Sequence, residues 1–302
     1  MTTNFVQPGR AALMIVAGMM TLGLTDNFVP FVTTDSSLSQ FHLVRGGLVL
    51  FALGIAAQFG VGTLRPKRPG AVLGRSMFTA GAMVIYFGCL ALLPIGVVVA
   101  GLFTAPLFVV LITVLFQGKR VGPVRWLAVV AGFAGAVMVI RPDPAALNLV
   151  AFLPVFAGLL YAIGAVATRA WCEGEATSTL TAWFFGMLTL FGALGVIALP
   201  AGGGGGAEGF PLRGWMPLTP TLIAWYIAQA IGALVGIVLI FRGYQLGEAS
   251  FVAVFEYSLL IFASVWAYIL WGQTVPPLGL FGMVLIAAAG IIIAIRSRGE
   301  GA

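Results

Sequence analysis

Ten runs of about 20 mostly apolar residues, separated by short segments of Gly, Pro and charge, make up nearly the whole of this 302-residue chain. A helix of ~20 apolar residues crosses the hydrocarbon core of a bilayer. A helix also satisfies its own backbone polar groups, which lipid cannot do. The runs lie near 11–30, 39–60, 76–93, 96–116, 125–140, 149–169, 179–199, 221–241, 250–271 and 278–295. Charged residues are 8% of the chain, against about a quarter in an ordinary soluble domain. They are too few to cover a water-facing surface. With 61% apolar residues, the chain is not disordered either, because disordered chains are polar. The fold class is an all-α membrane protein of ten transmembrane helices. The first run lacks the short core and small-residue cleavage site of a signal peptide, so it counts as a helix. No segment remains for a soluble catalytic or nucleotide-hydrolysing domain.

Lys and Arg set the orientation. With the N-terminus inside, ten spans return the C-terminus inside. Twelve of the fifteen basic residues then fall in inside segments, two (Arg141 and Arg213) fall outside, and Arg45 falls within the second span. The expectation is a multi-pass protein of the bacterial inner membrane with both termini cytoplasmic. The net charge of +6 is scattered between spans, which argues for membrane orientation and against a nucleic-acid partner. The outside loop at 200–217 holds five consecutive glycines, Gly202 to Gly206. They read as a tether. No Gly-Lys-Ser/Thr follows at P-loop spacing, so ATP-driven transport by this chain is not expected. Two separated cysteines, Cys89 and Cys172, and one histidine, His42, provide neither a disulfide framework nor a zinc site. No cofactor and no metal are expected.

Ten spans divide into two sets of five, 1–146 and 147–302, with the break near Pro142–Asn148. An odd number of helices per half inverts the second half relative to the first, as in many secondary transporters. Sliding 89–123 onto 243–277 needs no gap and aligns Gly118, Val121 and Pro123 with Gly272, Val275 and Pro277. It also pairs Phe103 with Tyr257 and Thr104 with Ser258.

The chain resembles the drug/metabolite transporter superfamily of EamA type, over nearly its whole length. The resemblance rests on Arg45 in FHLVRGGLVL, on the fourth span with its tight basic turn (APLFVVLITVLFQGKRVGP) and on the ninth-span stretch FEYSLLIFASVWAYILWGQTVPP. It implies an exporter of small metabolites, with the bacterial exporters of aromatic amino acids as the nearest group. Members often carry a glutamate just after the glycine of each turn. Here those positions hold Lys119 and Gln273, so no coupling role carries over to them.

Ionisable residues inside spans are expensive and mark function or structure. Asp26 and Arg45 fall at matching depths, roughly 7–10 Å below the outer surface. They read either as an ion pair gating the outer mouth or as a snorkelling arginine beside a hydrated carboxylate. Glu256 reads as a cavity carboxylate for a substrate amino group or a proton, or as a structural carboxylate bonded to a neighbouring helix. His42 reads as interfacial. Trp126, Trp215, Trp225 and Trp271 read as the interfacial belt. Tyr86, Tyr161 and Tyr257 lie deeper and need hydroxyl partners. With Phe103 they outline an apolar cage for a planar side chain. Thr25, Asn27, Thr104, Thr168, Gln229 and Ser258 supply polar groups, either to a cavity or to helix–helix hydrogen bonds. Ala128, Gly132 and Ala136 in the fifth span, and Gly290 and Ala294 in the tenth, form small-residue faces. These predict two scaffold helices packed together, or a dimer contact, in a monomer or weak homodimer. Pro106 predicts a bend in the fourth span.

The function expected is a secondary transporter that exports amino acids, aromatic ones favoured, by alternating access. The alternative is an exporter of another small metabolite, or a proton-coupled exporter of cationic drugs. An enzyme is not expected, since no nucleophile–base or metal constellation is present, and a subunit that only scaffolds a partner is the remaining reading.

Overall fold

A computed structural model describes residues 7–90, 92–146, 149–201 and 209–299. The glycine run at 202–206 lies outside the described residues, as do Leu147 and Asn148 at the expected boundary between halves. Among the described residues the chain is helical, with ten helices long and apolar enough to cross a membrane. These are α1 (Pro8–Asp26), α2 (Leu38–Gln58), α3 (Pro69–Cys89), α4 (Ile95–Leu115), α5 (Pro123–Ile140), α6 (Leu149–Ala170), α7 (Thr177–Ala198), α8 (Pro220–Leu246), α9 (Ala249–Trp271) and α10 (Pro277–Arg296).

Proline starts many of them. Pro8, Pro69, Pro123 and Pro220 occupy the first turn of α1, α3, α5 and α8, where the missing N–H costs nothing and φ is already helical. Gly118 and Gly272 follow the ends of α4 and α9 with φ of +63° and +65°. An L side chain is strained there. The two glycines are a pair under the 154-residue shift.

Leu13, Phe51, Leu127 and Ile197 stay exposed on the bundle surface, as lipid-facing residues must. Helices pack in the pairs α1–α8, α3–α6, α2–α7 and α5–α10, with α4 also against α6 and α9 also against α1. Exchanging each helix for the one five places along leaves this set of partners unchanged.

The fifth and tenth spans do pack together, but not through the small-residue face read from the sequence. The backbones cross at Gly135 and Gly282. A Cβ on Gly135 would lie 2.6 Å from the Gly282 carbonyl oxygen, and one on Gly282 would lie 2.5 Å from that of Gly135. Gly132 instead makes room for the Tyr257 ring, and Ala136 is buried in the same cluster. The small residues were legible; the partner of each face depended on helix rotation.

Two spans are interrupted. α4 breaks at Phe103–Thr104, just ahead of Pro106 in the first turn of its second half. α9 tightens into 3-10 helix over Ala253–Tyr257 and resumes at Ser258. The two breaks fall at the residue pairs that the shift aligns, and the Phe103 and Tyr257 rings stack at 5.9 Å and 22°.

The third span starts earlier than the sequence reading placed it. Pro69 opens α3, so Arg75 lies inside a span and not in a connecting segment. Arg75 is one of the twelve basic residues counted in inside segments, and that placement is corrected to a position within a span. The sequence PGAVLGRSMF has a helix-starting proline that outweighs one interior charge.

Candidate transport site

With ten spans, the start of α1 and the end of α10 lie at one end of the bundle. At that end a cavity of about 670 Å³ is walled by Thr113 of α4 and Gln117 just beyond it, Val166 and Thr168 of α6, Gln245 of α8 and Ser250 of α9, among others. The connections around it are tied down. Glu175 accepts the backbone N–H groups of Lys67 and Arg68 at 3.0 and 2.6 Å, just ahead of α3. Arg169 donates to the carbonyls of Gln245 and Gly247 at 3.0 and 3.1 Å, where the last carbonyls of α8 lack helical partners. Arg125 pairs with Glu248 at 2.7 Å. Cys172, in the connection after α6, lines the cavity yet is buried. Burial pushes its thiol above the ordinary value, with nearby Glu175 adding to the rise and Arg75 opposing it.

At the opposite end aromatic rings pack together. Phe28 and Phe31 stack on Trp225 at 5.3 and 5.0 Å and lie against Trp271 at 6.1 and 5.5 Å. Arg213 donates to the carbonyls of Thr33 and Thr34. Gln40 bonds both ways to the backbone of Met216, and Ser36 bonds to Tyr226. Trp225 and Trp271 are thus part of this ring cluster as much as of a belt.

Between the two ends lie buried polar groups. Tyr161 of α6 and Tyr244 of α8 both donate to Glu256 Oε1, at 2.8 and 3.0 Å. That leaves Oε2 unengaged among the described residues. Glu256 stands six residues beyond Ser250 on α9, which places it roughly 9–12 Å further along the span than that cavity-lining serine. Tyr244 was not singled out from the sequence. Its hydroxyl reaches Glu256 from only twelve residues away in the chain, across the α8–α9 turn, a geometry that spacing alone does not reveal.

Arg75 and Arg213 are the largest fully buried side chains among the described residues, and Arg75 is the one beside the cavity. Its Nε donates to Thr168 Oγ1 at 2.9 Å and its Nη1 to the Leu180 carbonyl at 3.2 Å, while the guanidinium lies 3.6 Å over the Phe241 ring. Its Nη2 has no partner, and neither has the hydroxyl of neighbouring Ser76. The guanidinium is drawn against α6 because Gly164 lets α3 approach it: a Cβ there would run into Thr79 and come within 3.4 Å of the Arg75 carbonyl. The signal that could have found it was a lone arginine seven residues into an apolar run.

The remaining sequence candidates separate. Asp26 and Arg45 make no direct ion pair. Arg45 is buried with its guanidinium 4.2 Å over Phe41 and 5.7 Å over Phe87, while Asp26 is exposed. Two aromatic faces hold the arginine in place of the carboxylate. His42, the fifth residue of α2, is buried beside the same phenylalanines with neither ring nitrogen bonded. The four-ring cage also divides. Tyr86 packs on Phe87 toward the end opposite the cavity, Tyr161 serves Glu256, and Phe103 pairs with Tyr257, whose hydroxyl has no partner. Asn27 donates to the carbonyls of Gly23 and Ala263, and Gln229 to that of Thr25, so both spend donors on helix contacts. Thr25 donates to the Thr21 carbonyl, Thr104 to that of Gly101 and Ser258 to that of Phe255.

No family model matches the chain. Among characterised proteins it is 31% identical to the riboflavin transporter of Rhizobium johnstonii over 207 residues, 67% of this chain and 68% of that one. It is 27% identical to the pseudopaline exporter of Pseudomonas aeruginosa over 263 residues, 86% of each chain. It is 23% identical to the S-adenosylmethionine uptake transporter of Rickettsia bellii over 256 residues, 84% of this chain and 81% of that one. Among solved structures, one crystal structure aligns over 97% of this chain and 99% of its own, with a TM-score of 0.73 at 17% identity. That likeness concerns the fold alone.

Proposed function

The chain belongs to the drug/metabolite transporter family, of the EamA type, and is a secondary transporter of small metabolites; within that frame we propose that it carries a polar, ring-bearing metabolite along a path past Glu256 by alternating access. The observation that carries this reading is a cavity of about 670 Å³ at one end of the bundle, with a buried carboxylate that keeps one oxygen free deeper along α9. The relatives' solutes, riboflavin, pseudopaline and S-adenosylmethionine, favour a metabolite more elaborate than a plain amino acid. Aromatic amino acids stand second, supported by the Phe103–Tyr257 ring pair beside the interruptions of α4 and α9. We place 1–146 and 147–302 as inverted five-helix repeats. The matched breaks and the symmetric helix pairing support this, and a repeat interface is where such proteins hold their solute.

With the basic connections on the cytoplasmic side, both termini are cytoplasmic and the chain sits in the bacterial inner membrane. The cavity then faces the cytosol, ready to load a solute for export. The test is counterflow in proteoliposomes with riboflavin, S-adenosylmethionine and L-tryptophan. The expected result is accelerated exchange of at least one of them, strongly reduced in Glu256→Gln at unchanged expression. Protein that melts normally and exchanges none of the three overturns the reading.

A further inference from the structure

We propose that Arg75 is the anion-recognition residue of the transport path and takes a carboxylate carried by the solute. The proposal rests on the reading of this region as a solute path. A guanidinium is permanently charged in proteins and carries five N–H donors in a planar fork. Burying it without an anion is strongly unfavourable. Arg75 is buried completely, yet among the described residues it contacts no carboxylate: the one ion pair there is Arg125–Glu248. Its donors meet only a hydroxyl and a carbonyl, and the aromatic face beneath it offsets part of the charge.

The unpartnered Nη2 shares one edge of the fork with Nε, the geometry a carboxylate accepts from. The hydroxyl that Nε meets belongs to Thr168, which lines the cavity. Arg75 thus stands one hydrogen bond behind the cavity wall. The unpartnered Ser76 hydroxyl provides a further donor next to it in sequence.

The vestibule itself does not select by charge. Lys119, Arg169 and Arg242 on its wall are matched by Glu173, Glu175 and Glu248. The sign preference therefore falls to the buried layer. There Arg75 would take the anionic end of a solute, and Glu256, reached through Tyr161, its cationic or hydrogen-bond-donating end. Tyr161 holds that carboxylate by a hydrogen bond of 2.8 Å. Arg45 differs, because its guanidinium lies over Phe41 and Phe87 in a separate apolar cluster and none of its neighbours there lines the cavity.

The test compares acids with their amides on purified protein: benzoate against benzamide, and L-tryptophan against L-tryptophanamide. Wild type is expected to be thermally stabilised by each acid at about tenfold lower concentration than by its amide, as one charge-assisted hydrogen-bonded contact implies. Arg75→Gln should abolish the difference, and Arg75→Lys should retain part of it. The rate of maleimide labelling at Cys172, which lines the same cavity as the Thr168 that Arg75 bonds, supplies a readout on the unmutated chain: acids slow it and amides do not. Equal action of acid and amide on wild type, no stabilisation by either acid, or a preference that survives in Arg75→Gln overturns the proposal. Acid preference without counterflow of any solute would leave Arg75 as the anion site and remove the transport reading instead. Counterflow without acid preference would do the reverse.

Discussion

Gly282→Ala tests the α5–α10 crossing, which holds two helices together without any hydrophobic drive between them. Alanine is favoured over glycine in a helix by roughly 1 kcal/mol, so the substitution stabilises unless space forbids it. At Gly282 space does forbid it. The new Cβ would stand 2.5 Å from the Gly135 carbonyl oxygen and 2.9 Å from Met138 Cβ, where ordinary contact begins near 3.4 Å. The helices must part by about 0.9 Å, because a backbone carbonyl cannot rotate away as a side-chain tip can. Overpacking of this kind costs about 1–3 kcal/mol, enough to cancel the propensity gain and exceed it. The control is Gly54→Ala in α2, where a Cβ meets nothing within 4 Å and the propensity gain stands alone. Thermal unfolding of both variants in detergent should show Gly282→Ala lower than wild type by roughly 2–4 °C and Gly54→Ala equal or higher. Transport per folded molecule should be unchanged in both. If Gly282→Ala melts at or above the wild-type temperature, the close backbone crossing is wrong.

Three further outcomes follow from the site. Tyr244→Phe removes one of two donors to Glu256 Oε1; it should lower stability by about 1–3 kcal/mol and slow counterflow while leaving cavity access, read by Cys172 labelling, unchanged. Glu175→Ala leaves the N–H groups of Lys67 and Arg68 without their acceptor; a loss of about 0.5–2 kcal/mol, of the size seen for helix caps, should appear in thermal melts. Burial raises the Cys172 thiol, and only the thiolate reacts. Maleimide labelling should therefore be slow near neutral pH and keep accelerating past the pH at which a free peptide thiol has levelled off; a profile like that of the peptide would refute the buried placement.

Most of the membrane architecture is readable along the chain. Lipid demands about 20 apolar residues in succession, and ten such runs are written out residue by residue. The same holds for the bend near Pro106 and for the turns at Gly118 and Gly272, because proline and glycine act through local backbone geometry. Glu256 stood out because a charge in an apolar run is rare whatever the fold.

Partnership was not readable. Whether Arg45 meets Asp26 or two phenylalanines depends on how α2 is rotated about its own axis, and a helix with apolar residues on every face does not reveal its rotation. The same freedom decided that Gly135, and not Gly132, crosses α10. It gathered Tyr161, Tyr244 and Glu256 from three helices around one oxygen, and sent Tyr86 to the other end of the bundle. Arg75 passed as a loop charge until tertiary packing buried it against Thr168 and Phe241. Hydropathy is a property of each segment, so the sequence alone determined that there are ten spans and about where they lie. The contacts that make a site arise between segments, where one-third of a helical turn exchanges one partner for another, and only the folded bundle decided them.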